Sequence, residues 1–129
     1  MCKPPQANWL RVVTQQGLAY GAEAARGITP HFASYHMGDV FFNKLYPFID
    51  ASSGGTIDGV IAAVDRVLAI ATDKTKIIPG HGPLGTRADL SAYRDMLATV
   101  AGRIKAQIKE GRNFVDIVAS KPTADFDNA

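Results

Sequence analysis

One cysteine, three histidines and one tryptophan are all that 129 residues hold of these types, and each scarcity narrows the chemistry. The single cysteine, Cys2, excludes an internal disulfide and a cysteine-built zinc cluster. Beside the initial methionine it is read as incidental rather than reactive. No apolar run approaches the ~18 residues that a membrane-spanning helix needs. No charged segment followed by an apolar stretch opens the chain, so no signal peptide is expected and the compartment stays open. Charge of either sign is nearly balanced, 14 Lys and Arg against 12 Asp and Glu. A net +2 is too slight for the basic footprint of a nucleic-acid binder. What remains is the composition of an ordinary globular chain, 47% hydrophobic and 20% charged. At this size a chain buries roughly 65–70% of the surface its unfolded form exposes, enough for one core.

The patterning is uneven along the chain. "MCKPPQA" is irregular because Pro4 and Pro5 resist helix. "NWLRVVTQQGLAYGAEAARG" has a weak helical stripe in Leu10, Val13, Leu18 and Ala22, interrupted by Gly17 and Gly21, and Pro30 breaks the pattern after it. A short strand is expected near residues 35–37. An irregular segment then runs from Gly38 to Gly55, longer than the ~12 residues at which loops usually carry function. From Thr56 the signal is strong: Ile57, Val60, Ile61, Val64, Val67, Leu68 and Ala71 fall on one helical face, with Thr56 as N-cap. "KIIPG" reads as a buried strand ended by Pro79 and Gly80. Thr86 with Asp89 three residues on is a capping signature. Leu90, Tyr93, Leu97, Val100, Ile104 and Ile108 carry a long helix to about Gly111, and "FVDIVAS" adds a short last one. Two strands with two strongly patterned helices describe an α/β chain that is part of something larger, because two strands alone make no self-sufficient sheet.

Residues 75–90, "TKIIPGHGPLGTRADL", pose the functional question. Gly80, Gly82 and Gly85 have the G-x-G-x-x-G spacing of a dinucleotide-binding loop. That motif requires a second strand after the helix, ending in an acidic residue about 20 positions on, and here the helix runs on past Lys105. Pro83 also removes a backbone donor from any phosphate nest. The second reading makes His81 a metal ligand, exposed between two glycines at the end of a strand. Asp39, after Gly38, stands in a similar setting. A strand–loop–helix–strand unit brings the two strand ends side by side. Each residue alone reads as an ordinary loop histidine or turn-capping aspartate; the pair shifts the balance toward a metal.

Together "HMGDVFF", "YPFIDASSGG" and "IIPGHGPLGTRADL" resemble the C-terminal half of a metallo-β-lactamase-fold metallohydrolase, in the bacterial cyclase-like branch. The resemblance covers about residues 35–127. It implies half of an αββα sandwich, an α/β arrangement with few short strands and helices packed on one face. On this division residues 1–34 are an unmatched, partly helical segment and residues 35–129 the half-domain. The resemblance further implies that Asp39 of the "GD" motif and His81 of the "PGHG" motif bind a shared metal. Intact members hold one or two zinc ions and hydrolyse an ester, thioester, lactam or related bond of a small-molecule substrate.

The family's H-x-H-x-D-H signature, which supplies the other ligands, does not occur in the sequence. His36 belongs to the "HMGD" phrase and reads as a packing or solvated polar residue, and His31 as a loop histidine. The chain as given is therefore expected to bind zinc weakly and to be inactive alone. The alternative is a non-catalytic binding or assembly module that keeps the half-fold. Trp9 reads as a core or interface anchor, Tyr46 and Phe48 as packing over the loop near the metal, and Asp50 as a turn cap. Arg103, Lys105, Lys109 and Arg112 read as a solvated basic helix end. With half a sandwich absent, Val40, Phe41, Ile77 and Ile78 are expected to lack an inner-face partner. A homodimer through the open sheet is the simplest closed solution.

Overall fold

A computed structural model describes residues 34–127. The helix expected within residues 8–27, and with it Trp9 and His31, lies outside the described residues. The described chain is mixed α/β: strand β1 (Ser34–Phe42), helix α1 (Ile57–Ile70), strand β2 (Lys76–His81), helix α2 (Arg87–Lys109) and helix α3 (Phe114–Ala119). Single 3-10 turns fall at Ala51–Ser53 and Ala124–Phe126. The strands pair in parallel as a two-stranded sheet, with α1 as the crossover that parallel pairing requires.

Each helix begins where its cap stands. The Thr56 hydroxyl accepts the Gly59 N–H at 3.0 Å, and Asp58 in the first turn of α1 faces the positive end of the helix dipole. Val60, Ala63, Val64 and Val67 then form its buried stripe. At α2 the capping box is complete. Asp89 accepts from the Thr86 backbone N–H at 2.8 Å, and its own N–H reaches the Thr86 hydroxyl at 3.2 Å. These bonds hold the Asp89 carboxyl below the usual carboxylate range, the Thr86 hydroxyl contributing most. Gly111, just past the end of α2, adopts a left-handed φ of 79°. Asp50 caps the turn after it, accepting from the backbone and hydroxyl groups of Ser52 and Ser53. Its carboxyl is likewise held low, chiefly by the two serine hydroxyls.

The strands run further than the Gly38 and Pro79–Gly80 signals suggested. β1 does not stop at Met37. Gly38 takes a left-handed φ of 52°, the pairing register shifts on either side of it, and the strand resumes to Phe42. The irregular segment therefore begins at Asn43 and not at Gly38. β2 likewise continues through Pro79 to His81. Pro79 has no N–H to donate to a ladder, and it falls opposite Gly38, where the ladder is already irregular.

Helices α1 and α2 lie antiparallel and in contact. Arg87 donates to the carbonyls of Ala71 and Leu68, Arg94 pairs with Asp65 at 2.8 Å, and Lys105 reaches Asp58 at 2.6 Å. Both helices share one core with the strands, centred on Phe41, Met37, Ile77, Leu90, Val40 and Val64. The Phe41 and Tyr93 rings meet edge to face at 5.2 Å. The expectation of an uncovered inner face at Val40, Phe41 and Ile77 is thus overturned. Their exposures are 2%, 0% and 0%, and all three belong to the core that the strands share with the two helices. Ile78, on the opposite side of the pleat from Ile77, stays half-buried. The basic end of α2 is also more than a solvated face. Arg103 donates to the Pro122 carbonyl at 2.8 Å and lies over the Phe126 ring, tying down the C-terminal turn. Tyr46 joins the same turn by donating to Asp127 at 2.7 Å. Phe48, expected to pack over the loop, is 71% exposed. No helix among the described residues is long and apolar enough to cross a membrane.

Candidate metal site

The parallel pairing of β1 with β2 puts the two sequence-predicted ligands together. His81 Nε2 lies 3.4 Å from Asp39 Oδ1, and both side chains are more than half exposed. Two donors bound to one zinc at ~2.0–2.2 Å and a tetrahedral angle stand roughly 3.4 Å apart, so the separation fits two neighbouring corners of one zinc site. One donor is an anionic carboxylate and the other an imidazole, a pairing zinc accepts. Among the described residues no group of three His, Cys, Asp or Glu comes close enough to hold a metal. His36, the other histidine in these motifs, is engaged elsewhere. Its Nδ1 accepts the Gly38 N–H at 3.2 Å, within the irregularity of β1.

The glycines of both motifs serve close approach. A Cβ on Gly80 would strike the Asp39 carboxylate and would lie 2.7 Å from the Gly38 carbonyl oxygen, so only glycine lets the two strands carry Asp39 and His81 this near each other. A Cβ on Gly82 would strike the Asn43 carbonyl, and one on Gly85 would meet the Phe41 ring at 2.8 Å. Gly85 also exchanges two backbone hydrogen bonds with Ile77, each 2.8 Å, which folds the loop back against β2. The Gly85 N–H is therefore already engaged and Pro83 has none. The loop packs as a clamp around a strand end, not as a phosphate cradle.

Two residues of this site escaped the sequence reading. Phe42 stacks on the His81 imidazole, with centroids 4.8 Å apart and planes 17° off parallel. Asn43, 3% exposed, donates its backbone N–H to the His81 carbonyl and its side-chain amide to the Pro83 carbonyl, both at 2.9 Å. Asn43 also borders a cleft of about 480 Å³ whose walls include Leu45, Tyr46, Tyr93, Met96 and Phe126. Nothing local announces either role, because the partners stand some forty positions away in the chain. No family model matches the chain, and no curated protein or solved structure matches it either. The described residues define an α/β unit with an exposed aspartate–histidine pair on adjacent parallel strands, Asp39 just past the irregularity inside β1 and His81 at the end of β2.

Proposed function

We propose that this chain is the C-terminal half of a metallo-β-lactamase-fold hydrolase and that Asp39 and His81 are its share of a zinc site. The single observation that carries the reading is the 3.4 Å approach of Asp39 Oδ1 to His81 Nε2 on adjacent parallel strands. It is supported by the order of the "GD" and "PGHG" phrases around one helix and by the interlocking of Gly80 with Gly38 and Asp39. When bound, zinc supplies Lewis-acid polarisation of the scissile bond and activates water.

The chain's own residues do three things in this reading. Asp39 brings the negative charge that a dication requires. His81 presents an imidazole nitrogen toward the same point, and the exposure of both leaves room for a substrate and for further ligands. The cleft beside Asn43 receives an apolar group of the substrate. The remaining donors belong to an H-x-H-x-D-H segment outside this sequence. Reading the source DNA upstream tests this: an in-frame run encoding that signature supports the proposal, and an upstream region encoding an unrelated domain contradicts it. The chain alone should show no turnover of lactam or thioester substrates above background. A saturable activity that tracks the chain through purification and disappears in His81→Ala would show that the site is complete without the missing half.

A further inference from the structure

Asn43 sits where β1 ends, buried to 3%, and makes two bonds to one short stretch of the facing loop. Its backbone N–H fixes the carbonyl of His81 and its side-chain amide fixes the carbonyl of Pro83, so the loop is pinned at both ends of the His81–Pro83 stretch. Gly82 itself, at a left-handed φ of 95°, lies so close to the Asn43 carbonyl that no side chain fits between them. The neighbouring residue, Phe42, closes the other degree of freedom. Its ring lies flat on the imidazole at 4.8 Å, which limits rotation of His81 about its side-chain bonds. An exposed histidine on a glycine-flanked loop would otherwise sample several rotamers, and each one lost on binding weakens the site.

We infer that Phe42 and Asn43 form a mount that holds the His81 imidazole toward Asp39 before any ligand arrives, with Asn43 the positioning residue. This inference rests on reading His81 as a metal donor, yet the mount is visible without metal, so the two can fail separately. The donor amide of Asn43 acts through the backbone, unlike the usual outer-shell partner that bonds the ring of a ligating histidine.

The test uses the full chain and its histidine ring signals by proton–carbon correlation NMR, without metal, followed by zinc titration. His81 is assigned by its loss in His81→Gln. In the wild type the His81 ring protons should lie upfield of those of an exposed imidazole, because they sit over the Phe42 face. Asn43→Leu keeps the branched side-chain shape at a somewhat larger volume and removes the side-chain donor to Pro83, leaving the backbone bond to His81. It should return the His81 signals to the exposed position and weaken zinc binding about 10–100-fold, the range seen when outer-shell partners are removed. Ala101→Gly, which destabilises α2 away from both strands, should change neither readout. His81 signals and zinc affinity that are the same in Asn43→Leu and wild type would overturn the inference. If Asn43→Leu does not fold, amide hydrogen exchange of the wild type decides. The Asn43 amide should then be protected like the Ile77 and Gly85 amides of the adjoining bridge, and exchange at the rate of an exposed loop would overturn the mount. If the wild type binds no zinc, the metal reading fails, and the upfield shift and its loss in Asn43→Leu still judge the mount.

Discussion

Replacing Gly80 by alanine adds one methyl group at the point where the two strands carry the candidate ligands together. The ideal Cβ would stand 2.6 Å from the Gly38 carbonyl carbon and 2.7 Å from its oxygen, and closer still to the Asp39 carboxylate. The carboxylate is exposed and can swing aside. The Gly38 backbone cannot, because β1 is paired to β2 both before it, at Ser34, Tyr35 and His36, and after it, at Phe42. With ordinary contact beginning near 3.4 Å, the strands must part by roughly 0.7 Å at this point. Overpacking of that kind costs ~1–3 kcal/mol. Taking ~2 kcal/mol and ~4–8 °C per kcal/mol for a domain of this size, the midpoint of thermal unfolding should fall by ~8–16 °C. Circular dichroism melts of wild type and Gly80→Ala measure it. The double variant Asp39→Ala, Gly80→Ala should recover only part of the loss, since the Gly38 contact remains. A midpoint within ~2 °C of wild type would refute the close strand approach on which the Asp39–His81 geometry depends.

The same substitution in open space should act oppositely: Gly102→Ala, inside α2 with nothing near the added Cβ, should stabilise by ~0.5–1 kcal/mol, read in the same melts. The Tyr93 hydroxyl is buried beside the Phe42 backbone without a well-formed hydrogen bond among the described residues, and burial pushes its pKa up more than the Phe42 backbone pulls it down. Tyr93→Phe should therefore leave stability unchanged or raise it by ~1 kcal/mol, and a loss of that size in urea titrations would reveal a bonded hydroxyl. Asp89 has a folded-state pKa below its unfolded value, so its contribution is present above ~pH 4 and is lost as pH falls through the folded value. Unfolding midpoints followed from pH 7 to 2 should fall less steeply at the acid end in Asp89→Asn than in wild type; parallel curves would contradict the capping assignment.

How much of this was legible in the sequence depends on how local the cause is. The stripe of α1, the Thr56 cap and the Thr86–Asp89 box are encoded within a few positions, and the structure reproduces them. The strand ends were not legible, because Gly38 and Pro79 are ordinary terminators until they fall opposite each other in a parallel pair. There each excuses the irregularity of the other. The burial of Val40, Phe41 and Ile77 is not legible either, because it comes from a core shared by both strands and both helices, whose members stand far apart in the chain. The approach of Asp39 to His81 follows from two similar phrases on paired strands, although Asp39 lies within β1 and not at its end. The contributions of Phe42 and Asn43 do not, since stacking and clamping across the fold leave no periodic or spaced signal.

In the proposed function Asp39 and His81 act together on one metal ion. Zinc titration by calorimetry of the full chain, beside Asp39→Ala and His81→Ala, tests it most directly. Weak one-to-one binding that a chelator strips readily is expected, since two donors leave a four-ligand preference half met. Either substitution should abolish that binding while the fold, by circular dichroism, is kept. Binding that survives both substitutions, or stoichiometric zinc that resists prolonged dialysis against the chelator, would contradict the proposal.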